Sequence, residues 1–161
     1  MPTPIIAEYF DYARLQMAAE ALYGFDATDS GASLVPGTTT YGPISVATLT
    51  DGNRHASRFT ATEAANFVSQ WEVVEHISNT RTGFSGTLFR NRTNPQELVL
   101  SFRSTEFIDD AARDNKATNE LEISQCGWAF GQISDMEAWY ADLRRRGLIP
   151  DGAHYAVTGY S

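Results

Sequence analysis

The 161-residue chain has a single cysteine, Cys126. No disulfide can form within it, and the thiol is expected to be a small, partly buried group that packs. Also missing is any run of about 18 apolar residues, the length a bilayer-crossing helix needs. The opening, MPTPIIAEYF, has neither a basic n-region nor a long apolar one. The expectation is a chain without an N-terminal export signal, either cytoplasmic or exported by a signal-peptide-independent route. Basic residues are outnumbered, with 12 Lys and Arg against 20 Asp and Glu and a formal net charge of -8. A nucleic-acid backbone calls for a basic face, so the balance argues against that partner and favours a neutral or cationic small molecule. No internal repeat or low-complexity tract interrupts the chain. What is present is 42% hydrophobic residues, 12% of the chain being aromatic, enough for a sizeable core.

From Ile5 to Leu22 the residues Ile6, Phe10, Ala13, Met17 and Ala21 recur at helical spacing and predict a stripe on one helix, with Gly24 ending it. Residues 26–45 are rich in turn formers and read as a surface loop holding one short extended piece. Thr60 and Glu63 have capping-box spacing ahead of a helix that runs to about Gln70. Three strands follow, Glu72–Ile77, Gly83–Asn91 and Glu97–Arg103, separated by the turn clusters SNTRT and RTNP. They predict a β-meander. In the third, Leu98, Leu100 and Phe102 alternate with Val99 and Ser101, the pattern of a central strand. Ser134 and Glu137 form a second capping box. The helix expected there carries Ile133, Met136, Trp139, Tyr140 and Leu143 on one stripe, ends in Arg144, Arg145 and Arg146, and stops at Gly147. A strand His154–Gly159 comes next. Strand, crossover helix and strand make a βαβ unit, which requires parallel pairing.

Two short motifs carry the chemistry. YAVTGYS, residues 155–161, runs a strand into Gly159-Tyr160-Ser161, the first half of a G-x-S-x-G nucleophile elbow. LVLSFRSTEF, Leu98–Phe107, ends a hydrophobic strand in Phe102-Arg103-Ser104-Thr105. In this order and separation they resemble the α/β-hydrolase lipases, in particular the class 3 lipases and the calcium-dependent bacterial lipases exported by type I secretion. There the strand ends in Phe-Arg-Gly and Ser or Thr, a lid follows, and a helix and strand lead to G-H-S-x-G. This chain departs from the pattern at Ser104, in place of glycine, and at Tyr160, in place of histidine. The resemblance covers Trp71 to Ser161 well and the N-terminal helix loosely.

The resemblance implies an α/β class chain whose residues 1–161 are the N-terminal part of one α/β-hydrolase-like domain, a mixed sheet flanked by helices. It implies a serine ester hydrolase of lipase or esterase type, acting on a small-molecule ester or lipid. Ser161 would be the nucleophile and Thr105 an oxyanion-hole donor; a threonine that merely closes a strand is the plainer reading of Thr105. Phe107, Ile108 and Tyr160 would bind substrate, and Glu106–Gln125 would be a lid or, equally, an ordinary surface helix. Arg103 would hold the loop through carbonyls or an acid, unless it is a solvated strand-end arginine. The chain order Ser, acid, His excludes His55, His76 and His154 as the base. His76 and His154 are expected as satisfied polar groups at sheet edges, and the base and acid as coming after Ser161, from the rest of the chain. Glu106, Asp109, Asp110 and Asp114 lack the EF-hand order and read as a solvated face. No metal and no cofactor are assigned, calcium staying open for the rest of the fold. A non-catalytic binding protein on the same scaffold is the alternative, together with a phospholipase or acyltransferase using the same triad.

Overall fold

Strand β4 (Leu98–Phe102) lies between an antiparallel neighbour, β3 (Gly86–Asn91), and a parallel one, β5 (Tyr155–Gly159). The computed structural model describes residues 5–21, 39–40, 44–52, 58–77, 80–103 and 122–159. Strands β2 (Trp71–Ile77) and the two-residue β1 (Thr39–Thr40) complete a mixed five-stranded sheet of order β1-β2-β3-β4-β5. Among the described residues the helices are α1 (Ile5–Ala19), α2 (Val46–Asp51), α3 (Ala61–Gln70), α4 (Ser124–Cys126) and α5 (Phe130–Arg145). The meander, the parallel β4–β5 pair and the central position of β4 agree with the sequence reading. Strand limits move inward by one to three residues at Gly83, Glu97, Arg103 and His154, and outward by one at Trp71.

Alternation along β4 sorts the core into two clusters. Val99 joins Leu15, Ala18 and Ala19 of α1, Leu49 of α2, Phe67 of α3 and Phe89 of β3 on one face. Leu98 and Leu100 join Phe84, Leu88, Ile149 and, from α5, Trp139 and Leu143 on the other. Trp139 and Leu143 of the α5 stripe are buried as expected and Met136 and Tyr140 pack at its margin, while Ile133 is half-buried and outside this cluster. Gly86 lies so close under Trp139 that a Cβ there would meet the indole ring at 2.8 Å. The Thr60–Glu63 capping box forms: the Thr60 hydroxyl accepts from Glu63 N–H at 3.3 Å and the Glu63 carboxylate from Thr60 N–H at 3.1 Å.

Several expectations are corrected. The stripe read along α1 is buried only at its C-terminal end: Ala21 is in the core and Met17 packs against it, whereas Ile6 and Phe10 are 82% and 57% exposed and Ala13 is exposed. The face that meets the sheet is Leu15, Ala18 and Ala19 together with Arg14, Gln16 and Glu20, and its three polar members break the apolar periodicity. α2, capped by the Ser45 hydroxyl accepting from Thr48 N–H at 3.0 Å, was not anticipated. Ser134 does not cap α5, which begins a turn earlier after Ala129, without a side-chain cap. Instead the Glu122 carboxylate accepts from Gly131 N–H at 3.0 Å. An acid nine residues upstream answers the open N–H groups and the positive end of the helix dipole, and local spacing does not reveal it. Cys126 is exposed on the short turn of α4 rather than partly buried. Gly24 and His55 lie outside the described residues.

Candidate functional site

The parallel register pairs Phe102 with Gly159, the last residues of β4 and β5. The chain therefore leaves both strands at the same end of the sheet. From there the sequence continues as Arg103-Ser104-Thr105 on one side and Tyr160-Ser161 on the other. Arg103 is the last described residue of the first segment. It is buried, not solvated, and its N–H donates to Ser85 O at 3.1 Å, while the Ser85 hydroxyl donates to Ile77 O at 2.8 Å. These bonds carry the ladder of β2, β3 and β4 past the strand ends.

One residue inside that edge, a row of polar side chains crosses the α1 face. Register partners connect His76 to Thr87, Thr87 to Ser101 and Ser101 to Thr158, and directly paired residues share a face. His76, Thr87 and Ser101 are fully buried. The His76 Nδ1 and Thr87 hydroxyl are 2.8 Å apart, and the hydroxyls of Ser101 and Thr158 2.5 Å apart. Gln16 reaches down from α1 into this row. Its Nε2 donates to Phe102 O at 2.8 Å and to the buried Glu20 carboxylate at 3.1 Å, and its Oε1 accepts from the Ser101 hydroxyl at 3.1 Å. Both halves of the amide are thus used.

A β-bulge puts His76 in the row. The β2–β3 register slips between Val73 and Glu75, so Val74 and Glu75 both turn to the α5 face, Val74 packing in that cluster and Glu75 accepting from Trp139 Nε1 at 2.8 Å. His76 then falls on the α1 face. It is a core group on the strand inside β1, not an edge group as expected. Burial first, and the nearby Arg103 charge second, hold its pKa well below the ordinary histidine value, so the ring is neutral at neutral pH. His154 is exposed just before β5, which is an edge strand among the described residues.

Ser161, Thr105, Phe107, Ile108 and Tyr160 all lie outside the described residues, as do Ser104 and residues 106–121 of the segment expected as a lid or a surface helix. What the fold brings together is the pair of strand ends that lead to them. The polar row was missed in the sequence reading. Its signal was a hydroxyl residue placed late in an apolar strand, Ser101 in LVLSF and Thr158 in YAVTG, at matching distance from each strand end. At the opposite end of the sheet an open cleft of about 680 Å³ is lined by Glu8, Asp11, Tyr12, Trp71 and Glu97 among others. Burial, and then the Glu8 carboxylate, raise the Tyr12 phenol pKa there. Among the described residues no group of three or more His, Cys, Asp or Glu could hold a metal ion, and no helix is long and apolar enough to cross a membrane.

Compared with known proteins, the chain matches no family profile, no curated protein and no solved structure.

Proposed function

We propose that the protein is a serine hydrolase of carboxylic esters, of lipase or esterase type, on an α/β-hydrolase-like domain of which these residues form the N-terminal part. The observation that carries this reading is the parallel pairing of β4 with β5 at Phe102 and Gly159. It starts Phe102-Arg103-Ser104-Thr105 and Gly159-Tyr160-Ser161 from neighbouring points of one sheet edge, as a nucleophile and its oxyanion donor require. In this reading Ser161 attacks the acyl carbonyl. A histidine beyond it in the chain takes the hydroxyl proton and gives it to the alcohol oxygen as the ester C–O bond breaks and the alcohol departs, and an acid holds that histidine in the right tautomer. The Thr105 N–H meets the oxygen on which negative charge develops, a donor fixed before the reaction begins. Phe107, Ile108 and Tyr160 line the acyl-binding surface. Water then releases the acid from the acyl-enzyme and frees Ser161.

An organophosphonate probe tests the assignment. An activated serine displaces the leaving group of such a reagent and keeps the phosphonyl group as an ester on its oxygen. Digestion and mass spectrometry of the natural full-length protein are expected to find the adduct on Ser161. A folded protein with no adduct there rejects the reading.

A further inference from the structure

Helix α1 meets the sheet through small apolar residues, Leu15, Ala18 and Ala19, yet a glutamine is placed among them. Gln16 is 9% exposed, and a methionine would fill the same space without a polar group to satisfy. What the amide does that a methionine cannot is bond three groups at once. It takes hold of the main chain at Phe102, the last residue of β4, and of Ser101 one residue before. Ser101 in turn touches Thr158, the residue before Gly159 at the end of β5. With Thr158 donating to Ser101, and Ser101 to Gln16, every hydroxyl proton has an acceptor. The series runs from helix to β4 to β5 and ends at the two points where the chain leaves the sheet.

We infer that Gln16 is a positioning residue, which through Phe102, Ser101 and Thr158 fixes the two strand ends relative to each other and so aligns the nucleophile segment with the oxyanion segment. The inference rests on the hydrolase reading. Main-chain pairing of β4 with β3 continues past Phe102 through Arg103, but the described pairing of β4 with β5 stops at Phe102 and Gly159, so side-chain bonds there add to what holds these two ends together. A small relative shift there matters, since reacting groups must meet at near-attack distance.

The test uses the natural full-length protein and three substitutions. Gln16→Met keeps length and removes the amide. Thr158→Val keeps shape and removes the hydroxyl, whereas Thr158→Ser keeps the hydroxyl. Gln16→Met and Thr158→Val are expected to lower kcat on a p-nitrophenyl ester, and the rate at which organophosphonate labels Ser161, on the order of tenfold or more, with KM little changed. Thr158→Ser is expected to recover most of the loss. Circular dichroism and melting establish that each variant is folded, and if Gln16→Met is not, the two Thr158 variants decide alone. A labelled parent whose folded variants keep its kcat and labelling rate overturns the positioning role alone. So does an effect confined to KM, or an equal loss in Thr158→Val and Thr158→Ser. A parent that is not labelled on Ser161 overturns the hydrolase reading and the positioning role with it.

Discussion

On the α1 face, the amide and hydroxyl groups near the strand ends of β4 and β5 are bonded one to the next, from Gln16 through Ser101 to Thr158, and the buried charges of Glu20 and Arg103 lie beside this series rather than in it. On the α5 face a fully buried carboxylate, Glu75, is held by the Trp139 indole N–H and by the Arg146 guanidinium, which also pairs with Asp142 at 2.6 Å. The contacts around it are aromatic, with Phe84 against Phe102 at 5.7 Å and against Trp139 at 5.9 Å between ring centres. The two arrangements do different work. An ion pair with one member in the interior is tolerant of small shifts, because charge acts over distance, but costly to break. A series of neutral hydrogen bonds is directional and gives little net stability. Charge and steric fit dock α5; directional bonds set the geometry at the sheet edge.

Arg146→Met is the most severe way to break this contrast. It leaves the buried Glu75 carboxylate with the indole N–H but without its cation; removing one partner of a wholly buried pair costs about 3–5 kcal/mol, and because Arg146 itself is solvent-exposed the expected loss is about 3 kcal/mol or less. Urea unfolding should show that loss, and the double variant with Glu75→Gln should regain part of it, since the amide removes the buried charge while its oxygen still accepts from Trp139 Nε1. If the double variant is as unstable as the single one, the pair does not dock α5.

Gly86→Ala tests the steric part of the same face. A methyl group at 2.8 Å from the Trp139 ring and 3.3 Å from Phe102 must push the helix or the ring aside, an overpacking cost of about 1–3 kcal/mol. An unchanged midpoint would mean that α5 moves away freely.

The α1 face has its own signature, which depends on pH. In the folded protein His76 stays neutral because burial, and then Arg103, keep its pKa well below 6.5, whereas in the unfolded chain it titrates near about 6.5. Below that value the unfolded state binds a proton that the folded state refuses. Stability is therefore complete above about pH 6.5 and falls as pH drops, by up to about 1.4 kcal/mol per pH unit, until the folded pKa is reached. His76→Gln should flatten the slope between about pH 6.5 and 5 in denaturant titrations. A slope unchanged by the substitution would assign the acid sensitivity to other groups.

The sequence revealed the meander, the crossover and the α5 stripe because each is written in apolar spacing within one segment. LVLSF, flanked by turn residues, can hardly be anything but an inner strand, and Trp139 and Leu143 fall one turn apart. The α1 face was illegible for the opposite reason. Gln16, Glu20 and Arg14 are buried against groups that apolar spacing does not show, Phe102 O for Gln16 at 2.8 Å, the Gln16 amide for Glu20 at 3.1 Å and Gln70 for one Arg14 nitrogen at 3.3 Å, and a one-segment reading counts all three as solvent-facing. The bulge at Val74 was hidden too, since its register exists only against β3. So was the true start of α5, where Glu122 replaces a local cap. For the candidate site, the two strand ends were legible and the polar row behind them was not.

The bulge also bears on how this chain can change in length. Between Glu72 and Ile77 strand β2 spends six residues opposite the five from Gly86 to Arg90. Removing Val74 would leave Val73, Glu75 and His76 in plain alternation, each still on the face it occupies now, and would cost the core no more than the packing of one valine. A one-residue deletion inside β3 or β4, where the register is unbroken, would turn every later side chain of the strand to the wrong face. Within the described sheet, Val74 is thus the place where descent could shorten a strand without reshuffling the core.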